Sequence, residues 1–208
     1  MMKLLRSTIQ RIILEEVCAG ASAKIQQGLD EIEKRNLKIK AKIFSDGYDI
    51  ELLFVWPNGS INVVGQFEVA RSTLCPAYIT MFTDLDVDLQ GTGIGAVMYD
   101  VAIEIATSLD GYLTCDRNGV SNDAKPMWRY YDASDDYEEL QMDTRDGYFT
   151  PNDPDDDCIQ AIFHRDTGTF PEDPTFKEEF MASPFTKAYR KKRITTIPCL
   201  GDRYRENE

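Results

Sequence analysis

The chain has 208 residues, 42% of them hydrophobic and 28% charged, which suffices for one domain with a core of its own. It carries 23 Lys and Arg residues against 36 Asp and Glu residues, and the net charge of −13 argues against nucleic acid and anionic membranes as partners. An acidic surface that imitates DNA and occupies a DNA-binding protein stays open as a distant alternative.

The cysteine pattern argues against two kinds of structural site. The five residues are Cys18, Cys75, Cys115, Cys158 and Cys199. None belongs to a Cys-x-x-Cys pair and their number is odd, so we expect neither a disulfide framework nor a zinc site. The pattern predicts a reducing compartment, the cytoplasm. A single histidine, His164, excludes a multi-histidine metal site, and we expect neither a membrane span nor a secretory signal.

The first 36 residues predict two helices. Residues 1–17 carry apolar side chains at helical spacing, with charges on the other face. The stretch AGAS (19–22) predicts a break, after which Ser22 caps a second helix that buries Ile25, Leu29 and Ile32.

From residue 37 the apolar positions recur at every second residue, which predicts strands. Four are expected: KIKAKIF (38–44), YDIELLFVW (48–56), INVVGQFEV (61–69) and YITMFTDLDVDL (78–89). The turn sequences SDG and PNGS make the first three an antiparallel meander. The fourth strand alternates, with Met81, Thr83, Leu85 and Val87 on one face and Phe82, Asp84, Asp86 and Asp88 on the other.

The second half begins as a helix–strand–helix unit and then loses periodicity. Residues 93–107 predict a helix, 111–116 a short strand, and 121–131 a helix capped by Ser121. The acidic residues 134–157 predict a surface loop region, and 158–208 an extension that wraps the core.

Three glycines in LQGTGIGAVMYD (89–100) stand where the fourth strand meets the long helix. Glycine in a helix costs roughly 1 kcal/mol relative to alanine. A glycine-rich turn at a helix N-terminus exposes backbone N–H groups that bind phosphate. A P-loop is excluded because no lysine follows the glycines.

A dinucleotide fingerprint also fits the spacing, through Gly91, Gly93 and Ala96, with Asp116 about twenty residues further on. However, the preceding strand alternates aspartate with apolar residues, whereas the first strand of a dinucleotide domain is apolar on both faces. A third pattern, Gln-x-x-Gly-x-Gly, fits Gln90, Gly93 and Gly95.

This third pattern, between an antiparallel strand and a long helix, resembles the GNAT family of N-acetyltransferases. The stretch 86–132 resembles the GNAT-related proteins of tailed bacteriophages, as do CDRNGVSNDAKPMW (115–128) and SPFTKAYRKKR (183–193). The resemblance implies an α/β fold of GNAT type, a mixed and mostly antiparallel twisted sheet flanked by helices, followed by an irregular acidic C-terminal extension. We therefore expect an N-terminal helical segment (1–36), a core (37–133), an acidic loop region (134–157) and the extension (158–208).

The resemblance also implies the site. Backbone amides would hold the pyrophosphate of acetyl-coenzyme A at Gln90, Gly91, Thr92, Gly93, Ile94, Gly95 and Ala96. Candidate bases are Glu68, Asp84 and Asp86, and the candidate acid is Tyr131. Trp128 stands where the family usually has a tyrosine, four residues after Ala124. Asp84, Asp86 and Asp88 do not form a calcium loop, since its glycine and its bidentate glutamate are missing.

The sequence leaves the activity open between two main hypotheses. The first is an acetyltransferase acting on a small-molecule or protein amine. The second is a GNAT-fold phage protein that has lost catalysis and acts as a virion or host-interaction component. The helix 93–107 carries Asp100 and Glu104 but no basic residue, so cations from Arg117, Lys125, Arg129 or the run 190–193 would have to support the phosphates.

Overall fold

A computed structural model describes residues 18, 21–71, 75–142, 144–145, 148–149, 158 and 174–207. These residues form a mixed α/β fold in which helices flank an eight-stranded sheet. The predicted fold class, a mixed and mostly antiparallel sheet, is confirmed. The helix predicted over 1–17, His164 and part of the acidic loop region lie outside the described residues.

The sheet has two parallel pairings among mostly antiparallel ones. Its strands are β1 (Leu37–Phe44), β2 (Gly47–Val55), β3 (Ile61–Arg71), β4 (Tyr78–Leu85), β5 (Leu113–Thr114), β6 (Tyr137–Gln141), β9 (Lys187–Lys191) and β10 (Tyr204–Asn207). Their order across the sheet is β10-β1-β2-β3-β4-β5-β9-β6. Strands β1 and β10 run parallel, as do β4 and β5. Two further strands, β7 (Thr144–Arg145) and β8 (Tyr148–Phe149), form a separate hairpin.

Five helices are described, and the first two pack on each other. They are α1 (Ala23–Lys34), α2 (Ile94–Ser108), α3 (Lys125–Ala133), α4 (Pro174–Ala182) and α5 (Thr196–Leu200). Ser22 caps α1 as predicted, since its Oγ accepts a hydrogen bond from the Ile25 amide at 3.4 Å. Helix α3 begins four residues later than predicted. The residues before it form a turn, in which backbone N–H groups donate to the carbonyl and the hydroxyl of Ser121.

Strand β4 contains a bulge that changes which side chains share a face. On β3, consecutive Glu68 and Val69 pair with Phe82 and Thr80, so Met81 is an extra residue on β4. Strand β4 also ends at Leu85, and Val87–Leu89 form a 3₁₀ turn rather than the predicted end of the strand. The simple alternation expected from the sequence therefore holds only on each side of Met81.

The C-terminal residues belong to the sheet, which corrects the expectation of a loop region followed by a wrapping extension. Strand β6 lies in the predicted loop, and β9 inserts between β5 and β6. Strand β10 pairs with β1 at the other edge. The sequences YEELQ, KAYRK and YREN are short and rich in charge, so hydrophobic alternation does not reveal them.

The cysteine prediction is wrong. Cys18 is bonded to Cys199 and Cys75 to Cys158, with Cα–Cα distances of 5.5 and 5.0 Å. The partners are 181 and 83 residues apart in sequence, so spacing along the chain does not reveal the pairing. Cys115 is buried, and its thiol donates to the Phe185 carbonyl oxygen.

Helix α2 is buried on nearly all sides and takes two carboxylates into the core. Asp100 and Glu104 are both fully buried. Lys191 of β9, which belongs to the basic run 190–193, forms ion pairs with both. The Glu104 carboxylate also accepts from the amides of Thr195, Thr196 and Ile197, at 2.6, 2.6 and 2.7 Å.

The Asp100 carboxylate accepts hydrogen bonds from two hydroxyl groups as well. The Tyr137 hydroxyl donates to Asp100 at 2.5 Å, and the Thr196 hydroxyl donates to the same carboxylate. We call Asp100, Glu104, Tyr137, Lys191 and Thr196 the buried charge network. It joins α2 to β6, β9 and α5, which explains why a core helix carries acids.

Candidate functional site

Strands β4 and β5 part after a short pairing and leave an edge of β4 open. Only Tyr78 and Ile79 pair with β5, at Leu113 and Thr114. Within the described part of the chain, no strand covers the same edge of β4 beyond Ile79. Backbone groups on an uncovered strand edge are available to an extended ligand.

A groove of about 150 Å³ lies along this edge, and we call it the β4 groove. It is lined by Thr80, Met81, Phe82, Thr83, Tyr99, Cys115, Asp116, Gly119, Val120, Ser121, Ala124 and Trp128. These residues come from β4, α2, the segment after β5, and α3. The lining combines aromatic and aliphatic walls with several hydroxyls and one carboxylate, as ligand sites commonly do.

The bulge at Met81 places two hydroxyls of β4 on the side of α2. Thr80 pairs with Val69 and Thr83 with Phe67, and both of these partners belong to the core beneath α2. Cross-strand partners share a face, so Thr80 and Thr83 lie on one face although three positions separate them. Without the bulge, an odd separation would put them on opposite faces.

The Thr80 hydroxyl has no hydrogen-bond partner among the described residues. Thr80 is only 5% exposed, and its Oγ1 is buried. A buried hydroxyl without a partner costs roughly 1–3 kcal/mol. A polar group of this kind at the wall of a groove marks a place where a ligand group can bind.

Tyr99 of α2 forms another wall of the groove, which the sequence interpretation missed. Its ring packs edge-on against Phe67 and Trp128, with centroid distances of 4.7 and 5.8 Å. Burial raises the pKa of Tyr99 to about 12, although hydrogen bonding with Thr83 partly opposes the rise. The phenol therefore keeps its proton at neutral pH. Its position one turn after Gly95 was the available sequence signal.

The glycine turn, residues 90–96, leads from β4 into α2. Gly93 is the N-cap residue of α2 and has a left-handed backbone, with φ of 91°. A Cβ on Gly93 would lie 2.9 Å from the Gly28 nitrogen and 3.0 Å from the Lys24 carbonyl oxygen. Gly93 is therefore required by the close packing of α1 on α2, whether or not a ligand binds.

The other two glycines of the turn face open space. A Cβ on Gly91 would meet nothing within 4 Å, and one on Gly95 would meet only Leu85, at 3.9 Å. Gly91 has φ of 73°, which favours glycine, but Gly95 has no such requirement. Protein packing thus explains Gly93 and leaves Gly95 unexplained, where a side chain would cover the start of the helix.

The first amides of α2 are not capped by a side chain. Gly93 supplies no side-chain cap, and the first N–H groups of any helix have no partner within it. Gln90 and Thr92 stabilise the turn itself, because their side chains donate to the carbonyls of Leu85 and Leu89. The remaining predicted residues, Ile94 and Ala96, are buried at the start of the helix.

Two of the predicted bases, Glu68 and Asp84, lie on the exposed face of the sheet. Glu68 pairs across strands with Phe82, and Asp84 with Gln66, and both acids are exposed. Asp86 is also exposed and follows the end of β4. None of the three lines the β4 groove, although Phe82, the neighbour of Glu68, does. Asp116 is the carboxylate that the groove lining contains.

The predicted acid, Tyr131, lies in an aromatic cluster rather than in the groove lining. Its ring packs against Trp128, Tyr137 and Tyr189, and it is 1% exposed. Burial raises the pKa of Tyr131 well above its usual value. Its hydroxyl has no partner among the described residues. Its catalytic role stays a prediction.

Several predicted supporting cations have structural partners. Arg117 donates to the Phe185 carbonyl and the Thr114 hydroxyl, at 2.9 and 3.1 Å. Lys125 bonds to Asn122 and Arg190 to Glu138. Lys24, which the sequence interpretation did not consider, is exposed on the first turn of α1, where its backbone lies against Gly93.

Two kinds of feature are not found in the described residues. They contain no group of three or more His, Cys, Asp or Glu side chains placed to hold a metal ion. None of their helices combines the length and the apolar character that crossing a bilayer requires.

Comparison with solved structures finds similarity to an acetyltransferase of the GNAT family from Staphylococcus aureus. The similarity covers 84% of this chain and 82% of that one, with 14% sequence identity and a TM-score of 0.34. No protein-family profile matches the sequence, and no curated protein matches it. At this TM-score the similarity carries no conclusion about function, which has to be argued from the site.

Proposed function

We propose that this protein has a GNAT-like fold, binds an acyl-coenzyme A thioester along β4 and transfers the acyl group, acetyl in the simplest case, to an amine. The supporting observation is the uncovered edge of β4, which leads to the uncapped start of α2. A ligand with peptide-like amides can pair with a strand edge, and its phosphates can bind helix N–H groups. Coenzyme A contains both parts.

The groove accommodates the reactive end of such a thioester. Its volume of about 150 Å³ is below that of pockets which enclose a drug-sized ligand, so the rest of the molecule would lie along the open edge. The amine nitrogen attacks the thioester carbonyl carbon, the carbon–sulfur bond breaks, and the sulfur leaves as a thiolate. The amine loses a proton and the thiolate gains one.

The acid and base are assigned by position in this proposal. Tyr99 lines the groove and keeps its proton at neutral pH, so it can donate a hydrogen bond to the departing sulfur. Asp116, in the same lining, is the candidate group that accepts the proton of the amine. Glu68, Asp84, Asp86 and Tyr131 stay as the sequence-based alternatives.

The experiment is titration calorimetry with acetyl-coenzyme A, followed by a thiol-release assay with a panel of small and peptide amines. We expect binding, and turnover that falls at least tenfold in Tyr99→Phe without loss of binding. The matched variant Tyr131→Phe removes a buried hydroxyl outside the groove lining and should keep its turnover.

The outcomes separate the hypotheses. Absence of binding would contradict the proposed function. Binding without release of thiol for any amine would favour the protein that has lost catalysis, and copurification with phage particles would assign it to the virion. Loss of turnover in Tyr131→Phe alone would restore Tyr131 as the acid.

A further inference from the structure

The Thr80 hydroxyl is a polar group that makes no hydrogen bond to the described residues of the folded protein. It lies in the groove lining, it is buried, and none of the described residues gives it a hydrogen-bond partner. Buried polar groups in folded proteins nearly always have partners. An exception in a groove is explained most simply by a partner that arrives with the ligand.

A second buried threonine shows what a partnered hydroxyl looks like in this protein. Thr114 of β5 lies in the strand next to β4 and is fully buried. Its Oγ1 donates to the Lys187 carbonyl oxygen at 2.9 Å, which stabilises the pairing of β5 with β9. Both threonine side chains are therefore buried, but of the two hydroxyls only that of Thr114 has a hydrogen-bond partner among the described residues.

Position along β4 indicates which ligand atom Thr80 would meet. Thr80 directly precedes the bulge, at the point where β5 has already ended and the groove begins. Tyr99 and Trp128 close the same part of the groove on the side of the helices. A ligand that runs from the glycine turn along β4 reaches Thr80 with its far end, which in an acyl thioester is the acyl group.

We propose that Thr80 is a positioning residue whose hydroxyl donates a hydrogen bond to the carbonyl oxygen of the bound acyl thioester. This rests on the proposed function. The hydrogen bond holds the carbonyl in one orientation, and it strengthens as negative charge develops on that oxygen during attack. Thr80 thus distinguishes an acylated donor from the free thiol.

The test compares Thr80→Val with Thr114→Val, in binding and in thermal stability. In Thr80→Val we expect affinity for acetyl-coenzyme A to fall about five- to tenfold. Affinity for coenzyme A, which lacks the acyl carbonyl group, should stay unchanged. The melting temperature of Thr80→Val should stay the same or rise, because an unpartnered buried hydroxyl is removed. That of Thr114→Val should fall.

Three results would overturn the inference. They are an equal loss of affinity for both ligands, no loss for either, and a fall in melting temperature as large as that of Thr114→Val. Failure of the wild-type protein to bind either ligand would instead contradict the proposed function itself, so the two failures are distinguishable.

Discussion

Helix α2 contributes to two polar regions, which differ in whether their polar groups have hydrogen-bond partners among the described residues. In the buried charge network, both carboxylates have a cation and several donors. At the β4 groove and the glycine turn, a hydroxyl and the first helix amides lack side-chain partners in the described residues. The first region has its partners within the protein, whereas the second leaves polar groups that a ligand can bind. An unpartnered hydroxyl indicates a candidate binding residue only where it also lines the groove, as Thr80 does and Tyr131 does not.

The largest effect is expected when the buried charge network loses its cation. Lys191→Met leaves Asp100 and Glu104 buried together, so the free energy of unfolding should fall by roughly 3–5 kcal/mol. Lys192→Met is the matched control, because the Lys192 side chain is exposed and its ammonium group donates to the Asp135 carbonyl rather than to a buried carboxylate. Its change should stay within about 0.5 kcal/mol. Urea denaturation measures both, and equal losses would show that the network is not structural.

Alkaline pH should weaken the same network. Burial lowers the pKa of Lys191, but Asp100 and Glu104 more than offset this and raise it above its usual 10.5. Burial and the Asp100 carboxylate raise the pKa of Tyr137 above its usual 10.0. The folded state thus keeps both protons more tightly than the unfolded state. Their stabilisation is full below about pH 10 and is lost as pH rises towards the folded-state pKa values.

The measurement is urea denaturation across that pH range. The free energy of unfolding should fall above about pH 10, by up to about 1.4 kcal/mol per pH unit for each group. Tyr137→Phe should make the fall less steep. An unchanged slope in this variant would show that Tyr137 does not contribute.

The smallest effect on stability, with the opposite sign, is expected at the glycine turn. Gly95→Ala places a methyl group in open space within a helix, so the free energy of unfolding should rise by up to about 1 kcal/mol. The same methyl group covers the start of α2, so affinity for coenzyme A should fall. Ser108→Ala, at the far end of the same helix, is the control for affinity, because it removes a hydroxyl that donates to the Glu104 carbonyl and does not reach the turn.

For both variants, calorimetry with coenzyme A measures the affinity and urea denaturation measures the free energy of unfolding. Unchanged affinity in Gly95→Ala would contradict a phosphate site at the turn. Gly93 is a poorer probe, because substitution there disrupts the contact with Gly28 and Lys24 and lowers stability as well.

Local patterns predicted much of the first half of the chain. Helix α1 with its Ser22 cap, the β1–β3 meander and the glycine turn before α2 follow from periodicity, capping and turn chemistry. These signals act over a few residues, so one sequence contains them. The sequence interpretation named Tyr131 as the candidate acid, whereas Tyr99 lies in the groove lining, and both roles stay predictions.

The remaining features depend on residues far apart in the chain. Both disulfides, the strands β9 and β10, and the ion pairs of Lys191 with Asp100 and Glu104 join segments that local patterns cannot relate. The bulge at Met81 is equally invisible, because only the pairing with β3 defines it. The sequence by itself determined where a helix start rich in glycine stands after a strand. The tertiary structure decided which polar groups around that helix have hydrogen-bond or ion-pair partners, because such partners are close in space but far apart in the sequence.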